Sequence, residues 1–314
     1  MTESNAPVRI PGSVRKQLEA LGVSPRKQRG QSFLVSPRAA SHVVQAADLT
    51  PDDAVIEIGP GLGALTDYIL RTDVRLVAIE CDARLAKGLR INFRGEKRFE
   101  LIESDVLRID LHRLARRMGE GGRTVKVISN VPYSISGPLI GNLLEVGNVL
   151  ELLVLTVQRE LATRIAAPVG GKDYGVFTVF CQYHADVKKL FTIPPSAFYP
   201  RPRVMSTVLL FTPRRQPPVD VVDERSFFSM VRLLFSQRRK TINAVLRRAV
   251  RGTGGKGRLA EIFSAADVSP SARPEQLDLA ALAALCNALY GVDEFKRVLT
   301  NAACRANGGS GVPV

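Results

Sequence analysis

The feature that most constrains the fold of this chain is a regular alternation of short apolar runs with segments of helical spacing. The apolar runs predict strands at 54–58, 75–79, 99–102, 125–128 and 151–157. The segments between them repeat apolar residues every three or four positions and predict helices at 64–70, 82–93, 136–146 and 158–167. Such an alternation over residues 37–211 predicts an α/β fold with a mostly parallel sheet and helices on both faces.

Glycine or acidic residues follow three of these strands directly, where open α/β sheets bind their ligands. The turn Gly-Pro-Gly-Leu-Gly at 59–63 lets the backbone approach a nucleotide-like ligand, although a glycine turn alone is weak evidence and this one lacks the dinucleotide or Walker spacing. Glu80 lies 21 residues after Gly59 and can accept from both hydroxyls of a ribose; a solvent-facing carboxylate is the alternative. Asp105 can accept from an adenine amine or cap the next helix.

An amide, a proline and an aromatic ring follow the strand 125–128, at Asn130-Val131-Pro132-Tyr133. The side-chain carbonyl of Asn130 and the backbone carbonyls beside Pro132 can accept hydrogen bonds from a flat, weakly nucleophilic amino group. Tyr133 offers a face on which a ring can stack. A strand followed by a proline turn and a core tyrosine is the alternative, and the neighbouring strand ends favour the site.

The charge predicts a polyanionic partner. The chain has 44 Lys and Arg against 30 Asp and Glu, a net charge of +14. A solvated basic surface is the alternative, but the cations are clustered. The clusters are Arg26-Lys27-Gln28-Arg29, Arg201-Pro202-Arg203, Arg214-Arg215, Arg238-Arg239-Lys240 and Arg247-Arg248.

Other patterns argue against several classes of protein. The 4 cysteines and 3 histidines form no metal-ligand spacing, so we expect no metal. Apolar runs fall short of the ~20 residues of a membrane span, and the N-terminus lacks the apolar core of a signal peptide. We therefore expect a cytoplasmic protein without a membrane partner.

The second half of the chain changes character after residue 212. Residues 174–184 favour a helix, and 187–193 and 205–211 predict strands around a proline-rich loop that should display Phe198 and Tyr199. Beyond a linker at 213–218, only helices are predicted: 227–234, 241–250, 258–263 and 277–289. The predicted domains are a tail and short helix (1–23), an α/β domain (24–212), a small all-α domain (213–300) and a disordered tail (301–314).

The ligand groups at successive strand ends resemble those of the class I S-adenosylmethionine-dependent methyltransferases, which have a Rossmann-like sheet. Asn-Val-Pro-Tyr is similar to the Asn-(Leu/Ile/Pro)-Pro-(Tyr/Phe) signature of enzymes that methylate planar amino groups. Motifs at 30–34 (Gly-Gln-Ser-Phe-Leu), 57–63, 194–198 (Pro-Pro-Ser-Ala-Phe) and 235–241 (Phe-Ser-Gln-Arg-Arg-Lys-Thr) resemble the rRNA adenine N6-dimethyltransferase family, the last its small-subunit (16S) branch. Ser32 stands where that family usually has Asn, and Val131 where it commonly has Leu or Ile.

The resemblance, which covers roughly residues 24–290, implies an enzyme that flips a target adenine out of its helix and stacks it between two aromatic rings. The catalytic residues that it implies are Asn130, Val131, Pro132, Tyr133 and Phe198. The residues that it implies for S-adenosyl-L-methionine are Ser32, Leu34, Gly59, Gly61, Glu80, Asp105 and Asn130.

The same resemblance implies dimethylation of two adjacent adenines in a hairpin near the 3′ end of 16S rRNA, within an assembling small ribosomal subunit. The residues expected to bind RNA are Arg201, Arg203, Arg238, Arg239, Lys240, Arg247 and Arg248. We expect a monomer.

Three alternatives remain at this point. A large-subunit rRNA adenine methyltransferase of the macrolide-resistance type shares the catalytic motifs. A ribosome-assembly or RNA-binding factor can keep the fold without catalysis, although the intact strand-end residues argue against it. A DNA or protein-glutamine methyltransferase usually carries Asn-Pro-Pro-Tyr.

Overall fold

The computed structural model describes residues 13–24, 31–251 and 255–306. Four parts of the sequence predictions lie outside the described residues: residues 1–12 of the predicted N-terminal tail and helix, the basic stretch 26–29, Gly30 of the first family motif, and residues 307–314 of the predicted C-terminal tail. Within those ranges every helix is too short or too polar to span a bilayer.

The helices and strands are numbered in chain order. They are α1 (Val14–Ala20), β1 (Phe33–Leu34), α2 (Pro37–Gln45), β2 (Asp53–Ile58), α3 (Ala64–Leu70), β3 (Arg75–Glu80), α4 (Ala83–Asn92), β4 (Phe99–Glu103), α5 (Leu111–Met118), β5 (Thr124–Asn130), α6 (Ser136–Glu145), β6 (Leu152–Gln158), α7 (Arg159–Ile165), α8 (Val176–His184), β7 (Ala185–Ile193), β8 (Phe198–Tyr199), β9 (Ser206–Pro213), α9 (Glu224–Phe235), α10 (Ile242–Ala249), α11 (Leu259–Ala265), α12 (Leu279–Tyr290) and α13 (Asp293–Ala306).

The central sheet has the strand order β4-β3-β2-β5-β6-β9-β7. The first five strands of that order are parallel, and β9 runs antiparallel to β6. The connection from β4 at one edge back to β5 beside β2 creates a reversal of strand order, the place where such sheets bind ligands. The predicted α/β fold with a mostly parallel sheet is confirmed.

The strands form where the sequence has continuous apolar runs because both faces of the sheet are covered. All six residues of β2 are buried, and its apolar side chains are at most 2% exposed. Helix α2 begins as its sequence indicates: the Ser36 hydroxyl accepts from the Ala39 N–H, and Pro37 occupies the first turn.

A second, two-stranded sheet pairs β1 with β8 in antiparallel register, Phe33 opposite Tyr199 and Leu34 opposite Phe198. Strands of two residues carry no periodic signal, and the sequence did not predict this pairing. We call it the β1–β8 ribbon.

The described residues form two compact units. The first, the sheet unit, takes those up to Ala162 together with Asp186–Pro213; the second, the helical unit, takes Thr163–Ala185 and those from Arg214 onward. The sequence placed residues 163–185 in the predicted domain 24–212, whereas the structure places them in the helical unit. The reason is that α8 packs on α9, where the ring centroid of Tyr183 lies 5.4 Å from that of Phe227.

The expected disordered tail from residue 301 is wrong for its first six residues, because α13 runs through Ala306. Helix α13 packs against α9, and Phe295 and Leu299 are each 1% exposed. The spacing of Phe295, Val298 and Leu299 is the amphipathic signal that indicates this helix.

Candidate active site

The turn at residues 59–63, between β2 and α3, needs glycine at its third position, Gly61. Gly61 has φ +61°, and a Cβ there would lie 3.0 Å from the Phe33 ring. Gly59 has φ +68° and approaches the Pro132 ring, from which a Cβ would be 3.6 Å away. The turn thus exposes backbone at the carboxyl end of β2, packed between Phe33 and Pro132.

Glu80 ends β3 beside this turn. Its Oε2 accepts from the Gly61 N–H at 3.1 Å and its Oε1 accepts from the Asp82 N–H at 3.0 Å. Burial raises the pKa of this 5% exposed carboxyl, and the backbone N–H donors of Asp82 and Gly61 oppose that rise. The side chain is a fixed acceptor whose remaining lone pairs are available for ligand hydroxyls.

A second buried carboxyl, Glu57, lies on β2 and was not singled out from the sequence. The Thr66 hydroxyl donates to its Oε2 at 2.6 Å, and its Oε1 has no partner among the described residues. Burial raises the pKa of Glu57 to about 8, so the group is mostly neutral at pH 7. The sequence did contain a signal for this residue, because Glu57 is a charged residue inside a predicted apolar strand.

Asp105 follows β4 and caps the next helical turn, as the alternative interpretation of this residue predicted. Its Oδ1 accepts from the Leu107 N–H at 3.0 Å and begins a short 3₁₀ turn, Val106–Arg108. The carboxylate is exposed and lines the same cavity as Glu80. Capping uses one oxygen, and the other remains for a ligand.

Asn130 ends β5, and its amide is held by a neighbour far away in the sequence. Its Nδ2 donates to the Ser32 backbone carbonyl at 3.0 Å. Because a carbonyl only accepts, the amide must turn its NH₂ toward Ser32 and its Oδ1 the other way. Ser32 itself uses its hydroxyl to donate to the Pro200 carbonyl at 2.8 Å.

The three residues after Asn130 are fixed by the sheet. The Val131 N–H donates to the Thr156 carbonyl at 3.0 Å, and the Pro132 carbonyl accepts from the Ile135 N–H at 3.1 Å. The Tyr133 hydroxyl lies 3.0 Å from the Ser206 hydroxyl, which is fully buried on β9. Burial raises the pKa of Tyr133, so its phenol stays neutral.

The expectation that the proline-rich loop displays Phe198 is wrong. Phe198 is 3% exposed and belongs to the core of the sheet unit with Leu34 and Val208. Successive strand residues point to opposite faces, so in β8 it is Tyr199, 37% exposed, that faces outward.

A cavity of about 370 Å³ at the carboxyl ends of β2, β3, β4 and β5 collects most of the predicted site. Phe198 does not line it. The predicted residues that do are Ser32, Leu34, Gly59, Gly61, Glu80, Asp105, Asn130, Val131, Pro132 and Tyr133. In the described ranges we find no group of three or more His, Cys, Asp or Glu placed to hold a metal.

The residues predicted to bind RNA divide between the units. Arg201 and Arg203 are exposed on the sheet unit, directly after the β1–β8 ribbon. On the helical unit, Arg238 is half-buried and donates to the Lys172 carbonyl at 2.9 Å. The other four predicted RNA-binding residues of that unit, Arg239, Lys240, Arg247 and Arg248, are exposed, and we call them the cationic cluster.

Comparison with known proteins identifies the family. The chain matches the family model of ribosomal RNA adenine dimethylases over residues 22–272. It is 41% identical to a ribosomal RNA small subunit methyltransferase A of Geobacter metallireducens over 86% of this chain and 98% of the relative. The same-named protein of Halothermothrix orenii is 38% identical over 90% and 94%.

The crystal structure of a dimethyladenosine transferase from Plasmodium falciparum has the same fold, with a TM-score of 0.69 and 23% identity over 84% of this chain and 98% of that one. The sequence matches span both units, and the motifs on which the resemblance rested fall within them. The chain belongs to the ribosomal RNA adenine dimethylase family.

Proposed function

We propose that this protein transfers methyl groups from S-adenosyl-L-methionine to the N6 amines of adenines in 16S rRNA. The observation that carries the proposal is the Asn130 amide, held by the Ser32 carbonyl with its acceptor oxygen directed away from that bond. Its position at the edge of a nucleoside-sized cavity fits a planar amine as the reacting group.

The cavity fits the cofactor in its donor and acceptor chemistry. The buried Glu80 carboxylate suits a pair of ribose hydroxyls, and the exposed oxygen of Asp105 suits an adenine amine. Gly59 and Gly61 leave backbone uncovered where the chain must approach closely. When bound there, S-adenosylmethionine supplies an electrophilic methyl group.

The amine of adenine is a weak nucleophile because its lone pair is delocalised into the ring. We infer that Asn130 Oδ1 and the Val131 carbonyl accept hydrogen bonds from its two N–H groups and favour the pyramidal nitrogen that can attack. The new N–C bond would replace the bond from the methyl group to the sulfonium sulfur, and the amine would then lose its extra proton to water. This work requires position and polarity rather than a strong base. It agrees with the lining of the cavity, which includes no histidine among the described residues.

Tyr133 provides the surface for the extruded base. Its hydroxyl is anchored to Ser206 at 3.0 Å, which fixes the ring beside Asn130. The side chain of Phe198 is buried in the core of the sheet unit, so the packing supports stacking on Tyr133 alone rather than the sandwich that the resemblance implied.

The RNA partner is inferred from charge. Arg201 and Arg203 extend from the sheet unit, and the cationic cluster marks the helical unit. Exposed arginines and lysines neutralise phosphates without regard to sequence. We propose two adjacent adenines in a hairpin near the 3′ end of the rRNA of an assembling small subunit as the target, a monomer as the active form and the cytoplasm as its location.

The test is methyl transfer from labelled S-adenosylmethionine to immature small ribosomal subunits, with large-subunit particles as the competing substrate. Wild type and Asn130→Ala are assayed side by side, and modified nucleosides are identified by mass spectrometry. We expect dimethyladenosine in small-subunit RNA with the wild type and a loss of at least about 100-fold in rate with the variant.

Other outcomes reject the proposal in distinct ways. Label confined to large-subunit RNA would assign the protein to the macrolide-resistance type. Intact RNA binding without any label would leave a binding factor that has the fold and no catalysis.

A further inference from the structure

We propose that Ser32 is a positioning residue that couples the segment carrying Arg201 and Arg203 to the amide of Asn130. The inference rests on the methyl-transfer function proposed above. It replaces the cofactor contact that the family resemblance implied for this position.

Two atoms of Ser32 bind two different parts of the sheet unit. Its hydroxyl donates to the Pro200 carbonyl at 2.8 Å, and its backbone carbonyl accepts from Asn130 Nδ2 at 3.0 Å. Both bonds are made by one residue, so Ser32 links the position of the Pro200 carbonyl to that of the Asn130 amide.

The β1–β8 ribbon holds Ser32 in place for this role. The Val35 N–H donates to the Ala197 carbonyl at 2.8 Å, and Leu34 lies opposite Phe198. On the other side, the Phe33 ring packs against the Gly61 turn. These contacts fix the position of Ser32 relative to Pro200.

The bond to Asn130 decides which end of the amide faces the target. A free asparagine amide can turn over and present its NH₂ to the adenine amine, where two donors would face each other. The Ser32 carbonyl selects the orientation that presents the acceptor. Arg201 and Arg203 lie one and three residues after Pro200, so phosphate contacts that order this segment also favour the productive amide.

The chemistry of serine separates this role from cofactor binding. The hydroxyl has one proton, and that proton is committed to the Pro200 carbonyl. It is not available to donate to the carboxylate of an amino-acid moiety. The longer amide usual in the family has two such donors.

The experiment compares Ser32→Ala, which loses the hydroxyl, with the matched Ser32→Thr, which keeps it. Binding of S-adenosylmethionine is measured by calorimetry on the full chain, and the methyl-transfer rate in single turnovers at saturating cofactor and RNA. We expect Ser32→Ala to slow transfer about tenfold with cofactor affinity within about twofold of wild type. Ser32→Thr should stay within about threefold in both measurements.

Coupling is tested by a double-mutant cycle with Arg203→Ala, again at saturating RNA. Arg203→Ala should slow transfer in the wild-type background and add little in the Ser32→Ala background. If thermal unfolding shows that Ser32→Ala is misfolded, Ser32→Cys replaces it, because cysteine keeps the volume and weakens the donor. Ser32→Cys should also slow methyl transfer without weakening the binding of S-adenosylmethionine.

Other results would overturn the inference. Weaker cofactor binding with a normal rate at saturation would make Ser32 a cofactor contact and overturn the inference. Equal rates in all Ser32 variants, or additive effects with Arg203→Ala, would also overturn it. A wild type that modifies no adenine would overturn the proposed function, and this inference with it.

Discussion

The cavity of the sheet unit and the cationic cluster of the helical unit hold their functional side chains in opposite ways. In the cavity, Glu80 is held by two backbone N–H donors and Asn130 by the Ser32 carbonyl. In the cationic cluster, Arg239 and Lys240 are exposed, and within the described ranges no acidic side chain pairs with them. The cavity holds individual polar atoms in fixed positions, whereas the cationic cluster provides exposed positive charge.

This difference separates two kinds of recognition. A preorganised group pays its ordering cost during folding and contributes its full strength when a ligand binds. Mobile surface cations bind a polyanion through long-range attraction that tolerates changes in position and weakens with salt. Substitutions that remove a ligand-facing group of the cavity should therefore have large, specific effects, whereas those in the cationic cluster should have smaller, additive effects on RNA affinity.

The largest effect is expected for Glu80→Gln. The glutamine amide keeps one acceptor oxygen, and its NH₂ group would face the backbone N–H of Gly61 or Asp82. That buried N–H then loses its hydrogen-bond acceptor, and the ribose hydroxyls lose one acceptor as well. We expect the affinity for S-adenosylmethionine to fall about 100-fold, or by roughly 2–3 kcal/mol, in calorimetric titrations. Glu103→Gln, at the exposed end of β4, is the control and should bind normally. Normal binding by Glu80→Gln would remove the contrast between the two regions.

A pH effect should distinguish the buried Glu57 from every surface carboxylate. Its pKa is raised to about 8 in the folded chain, so the stability it contributes is present below its unfolded pKa and is lost as the pH rises through about 8. Between pH 6 and pH 8 the wild type should lose about 2 kcal/mol of unfolding free energy that Glu57→Gln retains. Denaturant unfolding at both pH values measures this, and parallel losses in the two proteins would contradict it.

The cationic cluster should respond to salt rather than to ligand. In the double variant Arg239→Ala/Lys240→Ala, RNA affinity should fall about tenfold at low salt, and the slope of log affinity against log salt should decrease by about two. Affinity for S-adenosylmethionine should not change. Arg113→Ala/Arg116→Ala on the exposed face of α5 is matched in charge. An equal loss in that control would show that total charge, not the cluster, binds RNA.

The smallest effect is expected at the anchor of the stacking ring. Tyr133→Phe keeps the ring but leaves the buried Ser206 hydroxyl without its partner, which should cost about 1 kcal/mol of unfolding free energy. Adding Ser206→Ala should restore part of that loss, because neither polar group then remains. If the two changes were additive in denaturant unfolding, the hydroxyl pair would not anchor the ring.

Local pattern was sufficient for the parallel strands and for the residues at their ends. Apolar runs locate β2, β3 and β5, and parallel pairing brings Gly59, Glu80 and Asn130 to one edge without further information. Because the alternation of elements sets that geometry, the cavity could be anticipated before any contact was known.

The features that could not be predicted from the sequence depend on contacts between segments that are far apart in the chain. Phe198 was expected in the loop surface, but pairing of β8 with β1 turns its side chain into the core and Tyr199 outward. The bonds from Ser32 to Pro200 and from Asn130 to Ser32 join segments with no shared pattern. Helix α8 joins the helical unit through aromatic packing on α9, which no boundary signal marks.

The bond between Ser32 and Pro200 spans 168 positions of the chain, which has a consequence for its synthesis. A polypeptide that leaves the ribosome from its N-terminus completes the glycine turn and Glu80 early. The partner that holds Ser32 arrives only after residue 200 has emerged, and closing so long a loop is slow compared with local folding. A nascent or prematurely terminated chain would thus carry the early strands of the cavity without an oriented amide, so we expect methyl transfer to require a chain that extends beyond residue 200.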